Sequence, residues 1–401
     1  MMDVQSTVAH ITDIEDAHTS GVYPKRPLAL VRGEGVYAWD DAGNRYIDAT
    51  SGQGVALLGH SHPNVAAAVA EQAQTLISCP EIFYNDRRAE LYTELTGILP
   101  DEFTRFFLCN SGAEANEGAL KVARLMTKRA GVVSAMRGFH GRTMGAVSMT
   151  WNPKYRKAFA GWTMDVTHVP YNNIEKMEAA ITEETAAVVI EAVQGEGGVN
   201  PGTVEYLQRV RDLCTERGAL LVIDEIQAGL GRTGRWFAFQ HADITPDVIA
   251  LGKGIAGGVP MGAVVWRGEL GQMPGGSHGS TFGGNPLASA AAIATLRTLR
   301  DENLVERSAE MGVWLVEQLE AMNHDYVREV RGRGLMVGLE LRGRVTPVLK
   351  SLQEKGVLAL PAGNTVLRLL PPLIITQEQL TVVIDAIREA LDENNDITDE
   401  S

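Results

Sequence analysis

The chain has 401 residues, of which 45% are hydrophobic and 21% are charged, and its formal net charge is −14. This composition is typical of a globular protein with room for two domains of about 150 residues or more, and the negative charge argues against binding to nucleic acids or anionic membranes. The three cysteines, Cys79, Cys109 and Cys214, lack the number and spacing of a disulfide framework or a zinc site.

The first fifty residues carry no recognisable targeting signal and predict a β-hairpin. Residues 1–20 are acidic and lack the basic and apolar stretches of a signal peptide. No apolar run in the sequence approaches the ~18 residues of a membrane span, so we expect a cytoplasmic protein. In 33–50, GEGVYAWDDAGNRYIDAT, two short strands flank an Asp-Asp-Ala-Gly-Asn turn.

The middle of the chain alternates between predicted helices and buried strands. Helices are predicted from Glu114 to Lys128 and in 206–218, where apolar residues recur at helical spacing. Continuous apolar runs, which are typical of strands covered on both faces, predict strands in 131–136, 186–193, 219–226 and 247–252. Strand, helix and strand in this order predict an α/β fold with a large, mainly parallel sheet.

After Pro286 the pattern changes and predicts a smaller α+β domain. It contains an amphipathic region, strand segments and a final helix, in 296–322, 327–341, 356–362, 365–372 and 376–394. The Arg-Gly-Arg-Gly stretch at Arg331 is interpreted as a turn. We expect the hairpin to join this small domain, and we place its N-terminal segment at 1–60, the large domain at 61–290 and the C-terminal part of the small domain at 291–401.

In open α/β sheets, ligands bind beyond the carboxyl ends of the strands, and two such loops are suited to an anion and a flat ring. Ser111, Gly112 and Ala113 lie where a loop enters a helix, so their backbone N–H groups would hold a phosphate; a simple helix cap is the alternative. Phe139 follows the next strand and would stack on a flat ligand, and Arg142 would bind a carboxylate. The alternative there is an irregular surface loop.

Three further strand ends carry charged side chains. Glu196 lies among glycines in QGEGG, where a flexible turn with an exposed glutamate is the alternative. Asp224 ends a strand and is followed by Gln227; a helix cap or turn is the alternative for Asp224. Lys253 lies between Gly252 and Gly254, which would clear space around its amine, whereas a solvated surface lysine is the default interpretation.

Pyridoxal 5'-phosphate requires this combination of groups. A helix N-terminus binds its phosphate, a lysine binds its aldehyde, and a carboxylate keeps its ring nitrogen protonated. At ~4 Å, with an effective dielectric constant of ~20, such a carboxylate is worth about 4 kcal/mol, or roughly three pKa units before desolvation is subtracted. Asp224 is the candidate for this role.

These fragments together resemble the class III pyridoxal-phosphate aminotransferases over about the whole chain. The fragments are NSGAEANEGALK, GFHGRT, QGEGG, DEIQAGLGRTG, LGKGIAGGVPMGA and HGSTFGGNPLA, in this order. The likeness is greatest to acetylornithine aminotransferases and, through HTSGVYPKRPL, VREVRGRGLMVGLEL and VLALPAGNTVLRLLPPL, to the branch that acts on lysine or 2-aminoadipate semialdehyde attached to the amino-group carrier protein LysW.

The resemblance implies a fold-type I transferase whose large domain binds the cofactor. It implies that Lys253 binds the cofactor covalently and moves protons, that Asp224 pairs with the ring nitrogen and that Gln227 bonds to the ring hydroxyl. It also implies phosphate binding and ring stacking by Ser111, Gly112, Ala113 and Phe139. Thr281 would reach the phosphate in the neighbouring subunit, which implies a homodimer with its sites at the interface.

Substrate contacts are also implied by the resemblance. Ser280 and Arg142 match contacts to substrate, and Arg368 matches the arginine that binds the α-carboxylate of glutamate and 2-oxoglutarate. Glu196 would neutralise Arg368 while the other substrate's amine enters. The implied reaction transfers a distal amino group to 2-oxoglutarate, giving a semialdehyde and glutamate, in lysine or arginine biosynthesis. Two small departures, Ala192 for a proline and Ala228 for a threonine, remove no group that the chemistry needs.

Several alternatives remain open at the level of sequence. The same motifs serve an aminotransferase acting on ornithine or 4-aminobutyrate, and a noncatalytic binding protein of the same fold is a further hypothesis. A Rossmann nucleotide site is disfavoured because GLGRTG follows the acid instead of preceding it, and a metal at His60 and His62 lacks supporting ligands. Docking of an acidic carrier predicts a basic rim, with candidates Arg87, Arg88, Lys154 and Arg156.

Overall fold

The computed structural model describes residues 7–395, so the predicted domain ends at 1–6 and 396–401 lie outside the described residues. None of the helices described there is both long and apolar enough to cross a membrane. The α-helices are α1 (Thr7–His18), α2 (Ser51–Gly54), α3 (Pro63–Thr75), α4 (Asp86–Thr96), α5 (Gly112–Thr127), α6 (Met144–Met149), α7 (Pro153–Arg156), α8 (Ile174–Ala180), α9 (Val204–Arg217), α10 (Pro286–Asp301), α11 (Leu304–Ala321), α12 (Val345–Glu354) and α13 (Gln377–Asn395).

A seven-stranded sheet forms the centre of the molecule. Its strands, in spatial order, are β4 (Phe103–Cys109), β12 (Gly262–Arg267), β11 (Val248–Leu251), β10 (Leu220–Asp224), β7 (Thr185–Ile190), β5 (Gly131–Ala135) and β6 (Thr167–Val169). β12 is antiparallel to both of its neighbours, β4 and β11, and the other neighbouring strands of this sheet pair in parallel. Every residue of β7, β10 and β11 is buried, as expected for strands covered on both faces. The predicted α/β class and mainly parallel sheet are confirmed.

One predicted strand is shorter than expected. The apolar run 186–193 leaves the sheet after Ile190, and Val193–Gln194 forms β8, which pairs with β9 (Asn200–Pro201). The side chain of Glu191 explains the break, because its two oxygens accept hydrogen bonds from the backbone N–H groups of Phe139 and Gly195. A buried carboxylate needs such partners, and they are found where the chain turns away from the sheet.

Helix α5 packs on the sheet with a face of small residues. Ala115, Gly118, Ala119 and Ala123 are buried there, which allows the helix axis to approach β11 and β12 closely. The helix begins after the N-cap Ser111 and ends at Lys128, whose φ of 60° is left-handed. The predicted helix, 114–128, therefore differs by only a residue or two at each end.

Two four-stranded sheets combine segments from both ends of the chain. The first has the order β1 (Leu30–Glu34), β2 (Tyr37–Asp40), β3 (Arg45–Asp48) and β15 (Val357–Leu358), and the second has the order β13 (Val327–Arg333), β14 (Met336–Leu341), β17 (Val366–Leu369) and β16 (Leu360–Ala362). The predicted hairpin is present, with Tyr37 opposite Ile47. Val357 also pairs with Ile47, in parallel, so the chain ends share a sheet.

Two details of the C-terminal region differ from the expectation. Within the predicted strand pair 356–362 and 365–372, only Leu360–Ala362 pairs with β17, because Val357–Leu358 belongs to the other sheet. The interpretation of Arg331 as a turn is wrong. Arg331 lies within β13, and the turn is made at Gly334, whose left-handed φ of 51° suits glycine.

Candidate active site

The N-terminus of α5 offers backbone donors that no protein group uses. The Ser111 hydroxyl oxygen accepts a hydrogen bond from the N–H of Glu114, so Ser111 is a true N-cap. Among the described residues, nothing accepts a hydrogen bond from the N–H groups of Gly112 or Ala113. The cap and the predicted anion site therefore coexist, because capping satisfies only one of the first donors of the helix.

Lys253 begins a 3₁₀-helix, Lys253–Ala256, just after β11 and beside the N-terminus of α5. A Cβ at Gly252 would lie 3.1 Å from the Cα of Gly112, so the two backbones are in contact. Burial lowers the pKa of Lys253, although the charge of Glu196 partly opposes this shift. In the described part of the chain, the amine has neither a hydrogen bond nor an ion pair, which leaves a partly buried amine suited to nucleophilic attack.

The glycines around Lys253 have a different role from the predicted one. A Cβ at Gly254 would lie 2.4 Å from Cδ1 of Leu57, and one at Gly252 would meet Gly112 and Ile226. These positions are filled by protein, so the expectation that they clear space around the amine is wrong. They let the backbone that carries the lysine pack against the helix cradle, and Lys253 itself adopts a left-handed φ of 43°, which is strained for a side chain of this size.

Asp224, at the end of β10, is buried among three donors. Its Oδ2 atom accepts a hydrogen bond from Nδ2 of Asn116 at 2.8 Å and lies 2.7 Å from Nδ1 of His140. Its Oδ1 atom accepts from the N–H of Ile226 at 3.0 Å. These contacts orient the carboxylate and leave it room for one further cationic partner, since a carboxylate accepts about four hydrogen bonds.

His140 packs directly against Asp224. Its Nδ1 atom lies 2.7 Å from Oδ2 of Asp224 and donates a hydrogen bond to it. Its Nε2 atom lies 3.3 Å from the Ser134 oxygen, which is also 3.0 Å from the carbonyl oxygen of Met149. Burial acts to lower the pKa of His140, but the hydrogen bond and charge of Asp224 outweigh it, and the pKa is raised.

Arg368, on β17, forms a hydrogen-bonded cluster with Glu196 and Gln227. Its Nη1 atom donates to Oε1 of Glu196 at 2.6 Å and to Oε1 of Gln227 at 2.9 Å, and its Nε atom has no partner among the described residues. Burial acts to raise the pKa of Glu196, but the charges of Arg368 and Lys253 lower it on balance. Glu196 is therefore an ionised counter-ion, 32% exposed, for an arginine that is 2% exposed.

Gln227 lies between Arg368, Glu196 and the loop of Gly195. Its carbonyl oxygen accepts from Arg368 and its NH2 group donates to Glu196, so one N–H of that group remains to donate to a ring oxygen. A Cβ at Gly195 would lie 2.0 Å from that carbonyl oxygen. Gly195 is therefore required for Gln227 to occupy its place, which gives the glycine-rich QGEGG stretch a steric purpose.

Phe139 and Arg142 are brought together by Tyr155. Phe139 meets Tyr155 edge to face, with ring centroids 5.7 Å apart. The guanidinium of Arg142 lies 3.7 Å from the centroid of Tyr155 and 5.6 Å from that of Phe139. Arg142 is exposed and forms no ion pair with a described residue, so it is available to a carboxylate.

Ser280 and Thr281 lie apart from this cluster in the hydrogen-bond network. The Ser280 oxygen accepts from Nδ2 of Asn110 at 3.1 Å and from the N–H of Gly283 at 3.0 Å. Thr281 is exposed, and no hydrogen bond connects it to the other predicted site residues.

Three residues that the sequence interpretation missed complete the site. His140 and Asn116 hold Asp224, and Glu191 ties the loop of Phe139 to the loop of Gly195. Burial raises the pKa of Glu191. All three are polar residues within or directly beside the motifs already singled out, and this position is the sequence feature that could have identified them as site residues.

These groups fit pyridoxal phosphate. The free N–H groups of Gly112 and Ala113 suit its phosphate, the unpartnered amine of Lys253 suits its aldehyde, and Asp224 suits its ring nitrogen. A Cβ at Gly112 would lie 2.8 Å from Cδ1 of Ile226, so an apolar side chain borders the cradle as well.

Comparisons with known proteins agree with this chemistry. Residues 20–391 match the family model of the class-III aminotransferases. A [LysW]-aminoadipate semialdehyde transaminase of Deinococcus radiodurans is 47% identical over 386 residues, covering 95% of this chain and 90% of that protein. An acetylornithine aminotransferase of Methanopyrus kandleri is 43% identical, with coverage of 94% and 98%.

Solved structures show the same fold. An ornithine aminotransferase of Toxoplasma gondii, whose active site holds pyridoxal phosphate at partial occupancy, superposes with a TM-score of 0.93 at 32% identity, covering 98% of this chain and 96% of that one. An acetylornithine aminotransferase of Elizabethkingia anophelis superposes with a TM-score of 0.86 at 34% identity, covering 96% and 99%.

Proposed function

The chain belongs to the class-III aminotransferases, and we propose that it transfers the distal amino group of lysine attached to a LysW-type carrier protein to 2-oxoglutarate. N2-acetylornithine is proposed as a second donor. The enzyme depends on pyridoxal phosphate, and its relatives support transamination in lysine or arginine biosynthesis. The donor is inferred from the relative that is named for a LysW-linked substrate.

The ion pair between Arg368 and Glu196 is the observation that best supports an aminotransferase acting on two unlike substrates. In the first half-reaction the distal end of the donor brings an amine, so Arg368 must be neutralised, and Glu196 does this at 2.6 Å. In the second half-reaction the α-carboxylate of 2-oxoglutarate takes the place of Glu196 on Arg368. A charge-assisted hydrogen bond of this kind is worth roughly 1.5–3 kcal/mol, enough to change which substrate is preferred.

The proposed chemistry divides between the side chains already described. When bound, pyridoxal phosphate supplies an aldehyde that accepts the amino group and a ring that withdraws electrons from the amine-bearing carbon. The amine of Lys253, whose pKa is lowered by burial, takes the proton from that carbon and later returns it. Asp224, held by His140 and Asn116, keeps a negative charge where the ring nitrogen needs a counter-ion. Gly112 and Ala113 bind the phosphate through their N–H groups.

A homodimer is proposed because one chain leaves apolar side chains exposed next to an incomplete site. Ile77, Ile82, Phe83 and Tyr84 lie in one exposed stretch after α3, and Phe282 is exposed beside Thr281. Burial of such side chains against a second copy is favourable at ~25 cal/mol per Å². In this arrangement Thr281 would serve the cradle of the neighbouring subunit.

The domain boundaries are proposed as 1–60, 61–290 and 291–401. Two features support them. The sheet β1-β2-β3-β15 combines the first segment with the last, and the seven-stranded sheet lies entirely between Phe103 and Arg267.

Absorbance spectroscopy of the purified protein loaded with pyridoxal phosphate tests the proposal. Carrier-linked lysine, N2-acetylornithine, ornithine and 4-aminobutyrate are added in separate cuvettes, and the loss of the cofactor's visible band is followed. We expect carrier-linked lysine to act at the lowest concentration. If ornithine or 4-aminobutyrate acts at a lower concentration, the proposed donor is wrong although the enzyme class stands.

A further inference from the structure

The turn that carries Glu196, residues 195–199, contains a residue in a conformation that its side chain disfavours. Val199 has a left-handed φ of 53° and is 0% exposed. A β-branched side chain rarely adopts this region, so the conformation costs free energy and persists only where the surrounding structure imposes it. The N–H groups of Gly198 and Val199 both donate to the carbonyl oxygen of Gly195, each at 3.3 Å. We call residues 195–199 the Glu196 turn, and contacts from outside it must hold it in this shape.

Arg331, on β13, binds the end of the Glu196 turn. Its Nε atom donates to the carbonyl oxygens of Gly198 and Val199 at 3.0 and 3.1 Å, and its Nη2 atom donates to that of Gly198 at 2.8 Å. Hydrogen bonds from a charged donor are stronger than those between neutral groups. The Arg331 side chain is 12% exposed. These contacts are therefore largely shielded from water and can hold the strained end of the turn.

Two carboxylates orient the guanidinium of Arg331. Its Nη1 atom donates to Oε2 of Glu329 and to Oε2 of Glu340, both at 2.7 Å. The two glutamates lie directly opposite each other on β13 and β14, where like charges would repel without a cation between them. The carboxylates thus fix Nη1, and the edge of the planar guanidinium formed by Nε and Nη2 faces the Glu196 turn.

Arg331 and Arg368 belong to one cross-strand row of the sheet β13-β14-β17-β16. Arg331 lies opposite Gly338, and Gly338 lies opposite Arg368. Residues directly opposite one another in an antiparallel pair share a face, so both arginines project from the same face with the glycine between them. Val199 fills the space above that glycine, since a Cβ at Gly338 would lie 2.9 Å from the Cβ of Val199. One arginine therefore holds the backbone of the Glu196 turn while the other pairs with the side chain of Glu196.

We propose that Arg331 is a positioning residue that fixes the backbone of the Glu196 turn, so that only the side chain of Glu196 moves when a substrate carboxylate takes its place on Arg368. This inference rests on the proposed function, and it specifies what makes the exchange on Arg368 reproducible. Arg331 acts through Glu196, because most of its own donors are taken by the turn and by two carboxylates. A fixed turn returns Glu196 to Arg368 in every cycle, whereas a loose turn would leave Arg368 open to α-carboxylates in both half-reactions.

Single-turnover kinetics of the enzyme loaded with pyridoxal phosphate test this role. Glutamate and N2-acetylornithine are each reacted alone in the first half-reaction, and the ratio of their second-order rate constants is the readout. In Arg331→Gln we expect the ratio of glutamate to N2-acetylornithine to rise by about three- to tenfold, the effect of losing a hydrogen bond that holds Glu196 in place. In Arg331→Lys, which keeps the charge but not the planar fork, the rise should be smaller.

Two further variants frame this measurement. Arg328→Gln is the matched control, because Arg328 lies on the same strand and pairs with the same Glu340, at 3.3 Å, but is 58% exposed and donates to no carbonyl of the Glu196 turn among the described residues. Its ratio should stay within about twofold of wild type, as for an exposed ion pair. Glu196→Gln is the reference, and it should raise the ratio more than either Arg331 variant because it removes the counter-ion itself.

Gly338→Ala tests the position of the turn without changing Arg331. The added methyl group would collide with Val199 and displace the turn from the sheet. We expect the ratio to rise here as well, by about threefold or more, because a small displacement weakens the contact between Glu196 and Arg368. If Arg331→Gln does not fold, Arg331→Lys and Gly338→Ala decide the outcome.

Each result either supports or overturns the inference. A ratio that rises in the Arg331 variants and not in Arg328→Gln supports it. An unchanged ratio, or an equal loss of rate for both donors, overturns it, because Arg331 then has only a general structural role. If Glu196→Gln changes the ratio and the Arg331 variants do not, the inference fails while the proposed exchange on Arg368 stands.

Failure of the proposed function is read separately. If the ratio stays unchanged in Glu196→Gln, the exchange itself is wrong, and the inference falls with it. If the wild type converts N2-acetylornithine but not carrier-linked lysine, the proposed physiological donor is wrong and the ratio still tests Arg331. If carrier-linked lysine is the only amine that reacts, it replaces N2-acetylornithine in the ratio.

Discussion

Nδ1 of His140 lies 2.7 Å from Oδ2 of Asp224, and the two side chains are 0% and 4% exposed. Ser134, Asn116 and the N–H of Ile226 make further hydrogen-bond contacts with this pair, so it is enclosed by protein on this side. The contact with Asp224 raises the pKa of His140. The ring nitrogen of the cofactor would share this carboxylate with His140.

Replacing His140 should affect the chemistry more than substrate binding. In His140→Gln the amide can still donate to Asp224, but the titratable imidazole, whose pKa Asp224 raises, is lost. We expect kcat to fall by about 10- to 100-fold, as for other residues that orient a reacting group, and both KM values to stay within about threefold. The measurement is steady-state kinetics together with the cofactor's absorbance spectrum between pH 6 and 9. His168→Gln is the control, since His168 is half-buried and its Nε2 atom lies 3.1 Å from the carbonyl oxygen of Met149, away from the contacts of Asp224. An unchanged kcat in His140→Gln would contradict this role.

Lys253→Ala should abolish transamination. Loss of the group that binds the aldehyde and moves the proton should reduce kcat by at least about 10³-fold, within the range for acid–base catalysis. The visible band of the covalently bound cofactor should disappear as well. Lys176→Ala, on the exposed side of α8, controls for general effects of removing a lysine. Turnover that persists in Lys253→Ala would remove the basis of the whole assignment.

Arg368→Lys should impair one half-reaction only. Lysine cannot bind a carboxylate with two parallel hydrogen bonds, so we expect kcat/KM for glutamate and 2-oxoglutarate to fall by roughly 10- to 100-fold, equivalent to about 1.5–3 kcal/mol. Single-turnover reaction with the amine donor should change by less than about threefold. Equal losses in both half-reactions would show that Arg368 has a general structural role.

Glu196→Gln should have the opposite selectivity. Without the carboxylate, Arg368 is left with a neutral partner and stays available to α-carboxylates. We expect glutamate to react faster as an amino donor in the first half-reaction, and carrier-linked lysine or N2-acetylornithine to react more slowly, by roughly tenfold each. Competition between glutamate and the amine donor in a stopped-flow experiment measures the ratio of the two rates directly. An unchanged ratio would argue against the proposed exchange of Glu196 for a substrate carboxylate on Arg368.

Glu225 should make stability depend on pH. It is 1% exposed, its two oxygens accept from the N–H groups of Ala238 and Phe239, and burial raises its pKa to about 7 from 4.5. Between pH 4.5 and about 7 the folded state therefore keeps a proton on Glu225 that the unfolded state has lost. This proton stabilises the folded state fully below about pH 4.5, and the stabilisation is lost as the pH rises through 7. The loss amounts to about 3 kcal/mol at 1.36 kcal/mol per unit.

Denaturant unfolding of the protein at fixed concentration, from pH 5 to 8, checks this prediction. Glu225→Gln should be less stable than wild type at pH 5 and should lack this part of the pH slope, whereas the exposed-residue control Glu71→Gln should retain it. Parallel pH curves for wild type and Glu225→Gln would show that Glu225 is ionised throughout.

Local sequence was sufficient to predict the helices and strands and to identify most of the side chains of the candidate site. The apolar runs predict the strands because a strand covered on both faces needs apolar side chains throughout. The position of Ser111 before a helix predicts the cap and the free N–H groups of Gly112 and Ala113. Four site residues were placed at strand ends because they end or follow apolar runs: Glu196, Asp224, Gln227 and Lys253.

Where the strand ends meet was decided by the tertiary structure. Arg368 lies 172 residues from Glu196 along the chain, and His140 lies 84 residues from Asp224, yet both pairs are in hydrogen-bond contact. The glycines beside Lys253 could be found in the sequence, but their purpose depends on Gly112 and Leu57, which lie far away in the chain.

The sequence by itself thus determined the secondary-structure pattern, the motif residues and the likeness to a family, because these depend on short-range periodicity and on side-chain chemistry. Only the tertiary structure decided the contact of His140 with Asp224 and the pairing of Arg368 with Glu196. Each of these is a balance among groups from distant segments, and their separation and burial set both the Coulomb energy and the hydrogen-bond partners.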